Sequence, residues 1–536
     1  MQSNFMAAGA VEECQPSKRI AFLTVPLSGH RRLAVSLAGE MATRGFPVDL
    51  LVGEQGVTDE MRSLAAERPN FVVHAITRGT EMISQMDFQR VASSTGRLGG
   101  SKYTLFQCID DVSHDLEGMV EHWREMIEVL SVSRPDVVVL DHAHKVMQQW
   151  AEEQGIPTVI LHTPYFQTGS PTGCARINPA DGRRLDEFLQ VSNPFMRLDK
   201  AKEMLGIAGQ DINLGEGEEG AGAAHGLAPH TLVFCEPELL NTAHLPPRVH
   251  AVGPCLSDRD PVTVDAHLLP WLDAAAACGQ KVLYVAFGTL ANGFLTATAV
   301  GTLLDAFNGL GEGWRILWSL PQAQQPLLAD SGRNLDGDRV RVEPFVRQRA
   351  VLAHPAVRVF LTHGGQSSVN EGIAAGRPLV CLPLFCDQYE MAESVRRHGL
   401  GLVFHKDELL EGGDRRLGCL ISRVEDEQRF REKAGRHGWL MRIRGGCRRA
   451  AEVIESIAYA GAEFQELWEG KEEEAEGQAQ QEKCSDSAVV VAPEVKVEAA
   501  APAPARTLRQ QPAAMVKRPV GMPVAEDEFG IADSGL

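Results

Sequence analysis

None of the eleven cysteines, scattered from Cys14 to Cys484, forms a Cys-x-x-C pair. That absence excludes a zinc ribbon and a tight disulfide framework, and it predicts reduced, mostly buried thiols. Cys381 and Cys386, the closest pair, flank the turn at Pro383 in an apolar run. Positive charge is also short. Lys and Arg number 52 against 71 Asp and Glu, a formal net charge of -19 that opposes phosphate-rich surfaces and anionic lipid at long range. Nucleic acid is therefore excluded as a partner, whereas a local pocket for one phosphate group is not. No apolar run approaches the length needed to cross a membrane. The opening MQSNFMAAGAVEECQPSKR is polar and acidic where a secretory leader would be basic and then apolar, so the chain is expected in the cytosol with no integral membrane association.

A hydrophobic fraction of 44% with 23% charged residues is that of an ordinary globular protein, and 536 residues are too many for one core. Short apolar runs alternate with amphipathic stretches. RIAFLTV at 19–25, a helical pattern over 31–44, PVDLLVG at 47–53 and FVVHAI at 71–76 open the series. It continues with a helical stretch around 103–130, PDVVVLD at 135–141, a helix from Lys145 to Gln154, IPTVILH at 156–162 and TLVFCE at 231–236. A second series runs through KVLYVAFG at 281–288, WRILWSL at 314–320, VRVEPF at 340–345 and VRVFLTHGG at 357–365. Such alternation predicts parallel sheets covered by helices on both faces, two units with a cleft between them, and function at the strand carboxyl ends that meet there. The Gly- and acid-rich stretch 205–228 reads as an exposed loop.

The densest chemical signal is FLTHGGQSSVNEGIAAGRPLVCLPLFCDQYEMAES at 360–394. A strand ends in Gly364 and Gly365, which let a ligand approach the backbone, and the helix that follows points unpaired amides at the same place. That suits a diphosphate. His363 can donate to a phosphate oxygen, and Ser367 and Ser368 add hydroxyl donors. Glu371 would repel a diphosphate, so its natural partner is a diol such as ribose. Asp387 and Gln388 suit sugar hydroxyls. A plain strand, turn and helix with a capping Ser is the alternative.

These residues resemble the donor-site signature of family 1, UDP-sugar-dependent glycosyltransferases. His363, Gly365, Ser368, Glu371, Gly376, Pro378, Pro383, Asp387 and Gln388 stand at the matching spacings. Ser367 departs from the Asn usual in plant members, and the position after Gly365 lacks their frequent Trp. Upstream, FVRQRAVLAHPAV at 345–357 is similar to the family's Trp-x-Pro-Gln segment, with Phe345 in place of the uracil-stacking Trp, Arg347 in place of Pro, and Gln348 kept. A phenyl ring can stack on a base over a smaller area; a core Phe beside a helix start is the other reading.

PLSGHRRLAVSLAGEMATRGFPVDLL at 26–51 resembles the family's first strand, loop and helix, with His30 at the position of the catalytic base. A histidine suits that task near neutral pH, although a lone histidine at a helix start is often a cap. The resemblance implies that Asp141 orients His30. His142 and His144 beside Asp141 also admit a zinc reading through their H-x-H spacing, but no further ligand cluster is visible and the resembled enzymes need no metal. AFGTL at 286–290 is similar to the family's Phe-Gly-Ser/Thr turn, with Thr289 at the phosphates or the reaction centre.

The resemblance implies the α/β GT-B fold: two Rossmann-like domains facing across a cleft. We expect a flexible N-terminus (1–17), an acceptor-binding domain (18–252), a linker (253–265), a UDP-sugar-binding domain (266–447), a helix crossing back to the first domain (448–468) and a disordered acidic, Ala-Pro-rich tail (469–536) with possible docking to a protein partner. The expected activity is inverting, metal- and cofactor-independent transfer of a hexose, glucose first, from a UDP-sugar to a hydroxyl of a small, mostly hydrophobic acceptor. Two rivals remain: a non-catalytic nucleotide-sugar-binding scaffold, and a sterol or lipid glucosyltransferase at a membrane.

Overall fold

Runs such as IAFL and VVVLD, buried along their whole length, form strands covered on both faces, as parallel sheets require. The computed structural model describes residues 18–81, 87, 90, 115–162, 194–207, 230–240, 245, 248–256, 263–288, 294–385 and 387–459. The start 1–17, most of the stretch 205–228, Thr289 and the tail 469–536 lie outside the described residues.

The first sheet contains β1 (Ile20–Leu23), β2 (Val48–Gly53), β3 (Phe71–Ile76), β4 (Val137–Asp141), β5 (Thr158–His162), β6 (His230–Val233) and β7 (Val249–Ala251), in the order β3-β2-β1-β4-β5-β6-β7. The second contains β8 (Lys281–Ala286), β9 (Trp314–Ser319), β10 (Val340–Glu343), β11 (Val357–Thr362), β12 (Leu379–Cys381) and β13 (Gly401–Val403), in the order β10-β9-β8-β11-β12-β13. All these pairings are parallel. Each sheet reverses its winding once, between β1 and β4 and between β8 and β11. Crevices at such reversals are where open parallel sheets bind ligands. Leu23 lies opposite Leu140 and Ala286 opposite Thr362, so the paired strands end level and their following loops share one rim.

Both sheets belong to one compact unit. Ile20, Phe22, Val137 and Val139 face one side of the first sheet and Ala21, Leu23, Val138 and Leu140 the other, each face with its own apolar cluster. A helix over 447–459 contributes Ala450, Ala451 and Ile454 to the first of these clusters, so the chain returns to the first sheet after completing the second. Residues 460–468, also expected in this helix, lie outside the described residues.

Several boundaries differ from expectation. The helix sought near 103–130 is described over Leu116–Ser133, and β7 (Val249–Ala251), for which no strand was expected, ends just before the expected linker 253–265. Helices Asp414–Asp426 and Gln428–Arg444 carried no expectation. The thiol reading needs correction: Cys255 and Cys447, 192 residues apart with Cα atoms at 4.8 Å, are paired as a disulfide, and Cys278 and Cys419 are exposed. The linker and the start of the returning helix meet only in three dimensions, so spacing along the chain holds no sign of that pairing.

Helix Gln428–Arg444 packs on helix Gln366–Ala374 through Gly438, where a Cβ would sit 2.2 Å from the carbonyl oxygen of Ile373. Gly438→Ala therefore forces the helices apart at a cost of about 3 kcal/mol, against roughly 1 kcal/mol gained in helix propensity. Urea denaturation should show a net loss. Gly435→Ala in the same helix meets nothing within 4 Å and should stabilise the protein instead.

Candidate functional site

The loop after β1 leads into helix Ser28–Thr43, and its first turn carries His30. Asp141 ends β4, the neighbouring strand, with 1% of its surface exposed. His30 Nδ1 lies 2.8 Å from Asp141 Oδ2. A carboxylate can only accept, so Nδ1 carries the proton and Nε2 is the ring nitrogen able to take another. The other oxygen, Oδ1, accepts from the Ala143 amide at 3.0 Å and meets His142 Nδ1 at 3.2 Å.

Burial opposes ionisation of both groups, yet the pairing prevails. Asp141 is held well below the usual carboxylate range by His30 and His142, and His30 is raised above its ordinary value by Asp141, with help from the charge of Asp387. That last influence comes from the second sheet's side of the cleft.

The H-x-H chelate with His144 is not assembled. His144 is buried and pushed down to about 4 by desolvation, while the potential ligand atoms that converge are those of His30, Asp141 and His142, within 4.8 Å of one another. The sequence had offered His142 only as a metal ligand; its contact with Asp141 gives it a place beside His30.

On the donor side β11 ends at Thr362, Gly364 turns with φ 82°, and Gly365 precedes helix Gln366–Ala374. The His363 ring lies between glycines: a Cβ on Gly365 would stand 2.5 Å from its Nε2, and one on Gly288, itself at φ 75°, 2.9 Å from its Cε1. Only glycine admits the ring at that depth. Burial pushes His363 down to about 4 against a hydrogen bond to the Ala286 backbone, so at neutral pH it is an uncharged imidazole whose one N–H is turned to that carbonyl. Ser367 and Ser368 follow in the first turn.

Gln348 begins helix Gln348–Ala353 and donates from Nε2 to Glu371 Oε2 at 2.8 Å and to Ser368 Oγ at 3.4 Å, while its Oε1 accepts from Tyr284 at 3.1 Å. Thus Gln348, Ser368 and Glu371 are brought together. Phe345 is 75% exposed just beyond β10, an uncovered ring in the same connection as Gln348.

Asp387 precedes helix Gln388–Arg397. Gln388 is buried, and its Oε1 accepts from the amides of Leu384 at 2.9 Å and Phe385 at 3.3 Å, so it shapes the loop and leaves its amide nitrogen as the group to meet a ligand. Two further residues support that loop without any sequence signal. Buried Lys406 donates to the Leu384 carbonyl at 2.9 Å, and the Tyr389 hydroxyl to the same oxygen at 3.3 Å. Thr289 lies outside the described residues.

The two sides touch. Gln366 and Asn370 both donate to the Phe234 carbonyl, at 3.2 and 2.7 Å, just past β6. Arg32 Nη1 reaches Glu371 Oε1 at 3.4 Å, with 49% of the Arg32 side chain and 7% of the Glu371 side chain exposed.

The electrostatics can be tested without substrate. Asp141→Asn removes the main group that raises His30 and leaves burial opposed only by the smaller influence of Asp387, so a ring titration followed by NMR should fall from above the ordinary 6.5 to below it. An unmoved titration would contradict the assigned pairing.

Residues 248–412 match the family model described as UDP-glucoronosyl and UDP-glucosyl transferase. UDP-glycosyltransferase 1 of Phaeomoniella chlamydospora is 33% identical over 220 residues, 39% of this chain and 43% of that protein. UDP-glycosyltransferase 76F2 of Arabidopsis thaliana is 26% identical over 429 residues, 70% of this chain and 82% of that protein. The chain thus spans under half of the first relative's length and most of the second's. The crystal structure of UDP-glucose:anthocyanidin 3-O-glucosyltransferase in complex with UDP superposes with a TM-score of 0.57 at 17% identity, over 83% of this chain and 100% of that one, a likeness of fold. The match to that family model covers the segment that carries β8 to β13 and the residues around Gln348, Glu371 and Gln388, and the likeness of the whole chain is one of GT-B fold.

Proposed function

We propose that this protein transfers a hexose, glucose first among donors, from a UDP-sugar to a hydroxyl of a small, mostly hydrophobic acceptor, in one inverting displacement without metal. The observation that carries this reading is the His30–Asp141 pair at the first switch point, close enough to the donor side for Asp387 to raise His30.

In the proposed step the acceptor hydroxyl gives its proton to His30 Nε2 as its oxygen bonds to the anomeric carbon. The bond from that carbon to the β-phosphate oxygen breaks, and its electron pair leaves with UDP. Asp141 stabilises the imidazolium that forms. Ser368, Thr289 and the first amides of helix Gln366–Ala374 act on the charge growing on the leaving group, where preorganised donors are most effective. Glu371 takes the ribose, Phe345 stacks on the uracil, and Asp387 with the Gln388 amide nitrogen meets sugar hydroxyls. Relatives named for anthocyanidin and for 7-deoxyloganetic acid support a small acceptor with a largely apolar body.

His30→Ala should abolish transfer while leaving UDP binding nearly intact, measured by coupled UDP release and calorimetry. Transfer that persists at the wild-type rate in this variant would remove His30 as the base. Activity should survive EDTA; activity that returns only on adding magnesium would overturn the metal-free mechanism. Because the base must be neutral, the acidic limb of the rate profile should lie above the ordinary histidine value, and Asp141→Asn should move it to lower pH while lowering kcat.

A further inference from the structure

Helices Ser28–Thr43 and Gln366–Ala374 meet at their starts. A Cβ on Gly29 would lie 3.7 Å from Ser367 Oγ, and one turn further along each helix Arg32 Nη1 reaches Glu371 Oε1 at 3.4 Å. Residues three apart on one helix thus touch residues four apart on the other, a spacing that keeps each pair on one face. In the UDP-sugar reading the start of the second helix holds the diphosphate and Glu371 the ribose. Arg32, carried by the opposite domain, borders both places.

Charge makes that border consequential. The donor side presents the carboxylates of Glu371 and Asp387, the buried His363 is uncharged, and the His30 proton is held by Asp141. A nucleoside diphosphate is an anion that gains negative charge as the sugar departs, and helix amides carry only partial charge. A guanidinium offers both full charge and a fork of donors that matches phosphate oxygens.

We propose that Arg32 is the cation that serves the donor's diphosphate, turning from Glu371 to the phosphate oxygens when the ribose hydroxyls occupy Glu371. The inference rests on the UDP-sugar reading. Arg32 is half exposed, and the buried Glu371 that it turns from keeps Gln348 on one oxygen and gains the ribose hydroxyls on the other, so its charge is not left unpartnered by the exchange. Acting on a charge that grows as the carbon–oxygen bond breaks, Arg32 favours the transition state over the ground state.

Calorimetric titration of UDP and of uridine against the wild type, Arg32→Ala and Arg32→Lys separates this role from a latch between domains. Arg32→Ala should weaken UDP binding about tenfold or more, the worth of one charge-assisted hydrogen bond, and leave uridine binding unchanged or tighter. It should also lower kcat, with partial recovery in Arg32→Lys. If Arg32 only latches Glu371, the Ala variant binds both UDP and uridine more tightly, which overturns the proposal; equal weakening of both ligands overturns it too. Should the wild type bind neither, the donor reading itself fails. Wild-type binding of both with no change in the variants removes Arg32 alone.

Discussion

A carboxylate left 1% exposed by folding must be met by donors, and the arrangement around Asp141 follows from that requirement. Its donors come from the loop after β1, through His30, and from the residues just past β4, through His142 and the Ala143 amide. The carboxylate therefore ties together the two strands between which the sheet reverses. It also selects the His30 tautomer, since a proton on Nδ1 leaves Nε2 as the basic nitrogen. Removing one partner of such a buried pair typically costs about 3–5 kcal/mol, so the geometry of the base and the integrity of the switch point are one interaction.

The donor side solves a different problem by different means. The ligand proposed for it is an anion, and His363 is kept uncharged by burial between Gly288 and Gly365. Gln348 holds one oxygen of Glu371 while Arg32 approaches the other, which orients the carboxylate that the proposed function assigns to the ribose diol. Gln388 and Lys406 spend polar atoms on the backbone of the 384–388 loop, which sets the position of Asp387 at the price of one sugar contact expected from Gln388. In the proposed function a chain with net charge -19 accepts a nucleotide because charge is arranged residue by residue at the rim of the cleft.

Most strands were legible because parallel strands buried on both faces are unbroken apolar runs, and the glycine turn at 364–365 was legible because close approach of a ligand needs glycine. The strand β13, three residues after a turn, is too short for any period to appear. Helix Asp414–Asp426 does hold a pattern, Leu417, Ile421 and Val424, that could have been read. Helix Gln428–Arg444 meets helix Gln366–Ala374 through Gly438, and its buried stripe of Phe430, Ala434 and Met441 is interrupted by His437 and Gly438. Arg32 and Lys406 look like ordinary polar residues along the chain, since their importance depends on a carboxylate and a carbonyl supplied from far away in sequence. The Cys255–Cys447 pairing is hidden for the same reason.

The His30–Asp141 pair also sets stability and activity against each other in pH. Asp141, depressed in the folded state, contributes stability above its ordinary 3.8 that is lost as pH falls through its folded value. His30, raised in the folded state, contributes stability that is complete below its ordinary 6.5 and is lost as pH rises through its folded value. The charged pair is therefore strongest between those limits, with imidazolium facing carboxylate. A base must be neutral to accept a proton, so the proposed catalysis belongs to the pH range where this contribution is fading. The imidazolium returns only when the acceptor's proton arrives, and the interaction that fades from the resting enzyme is then regained in the transition state, where it lowers the barrier.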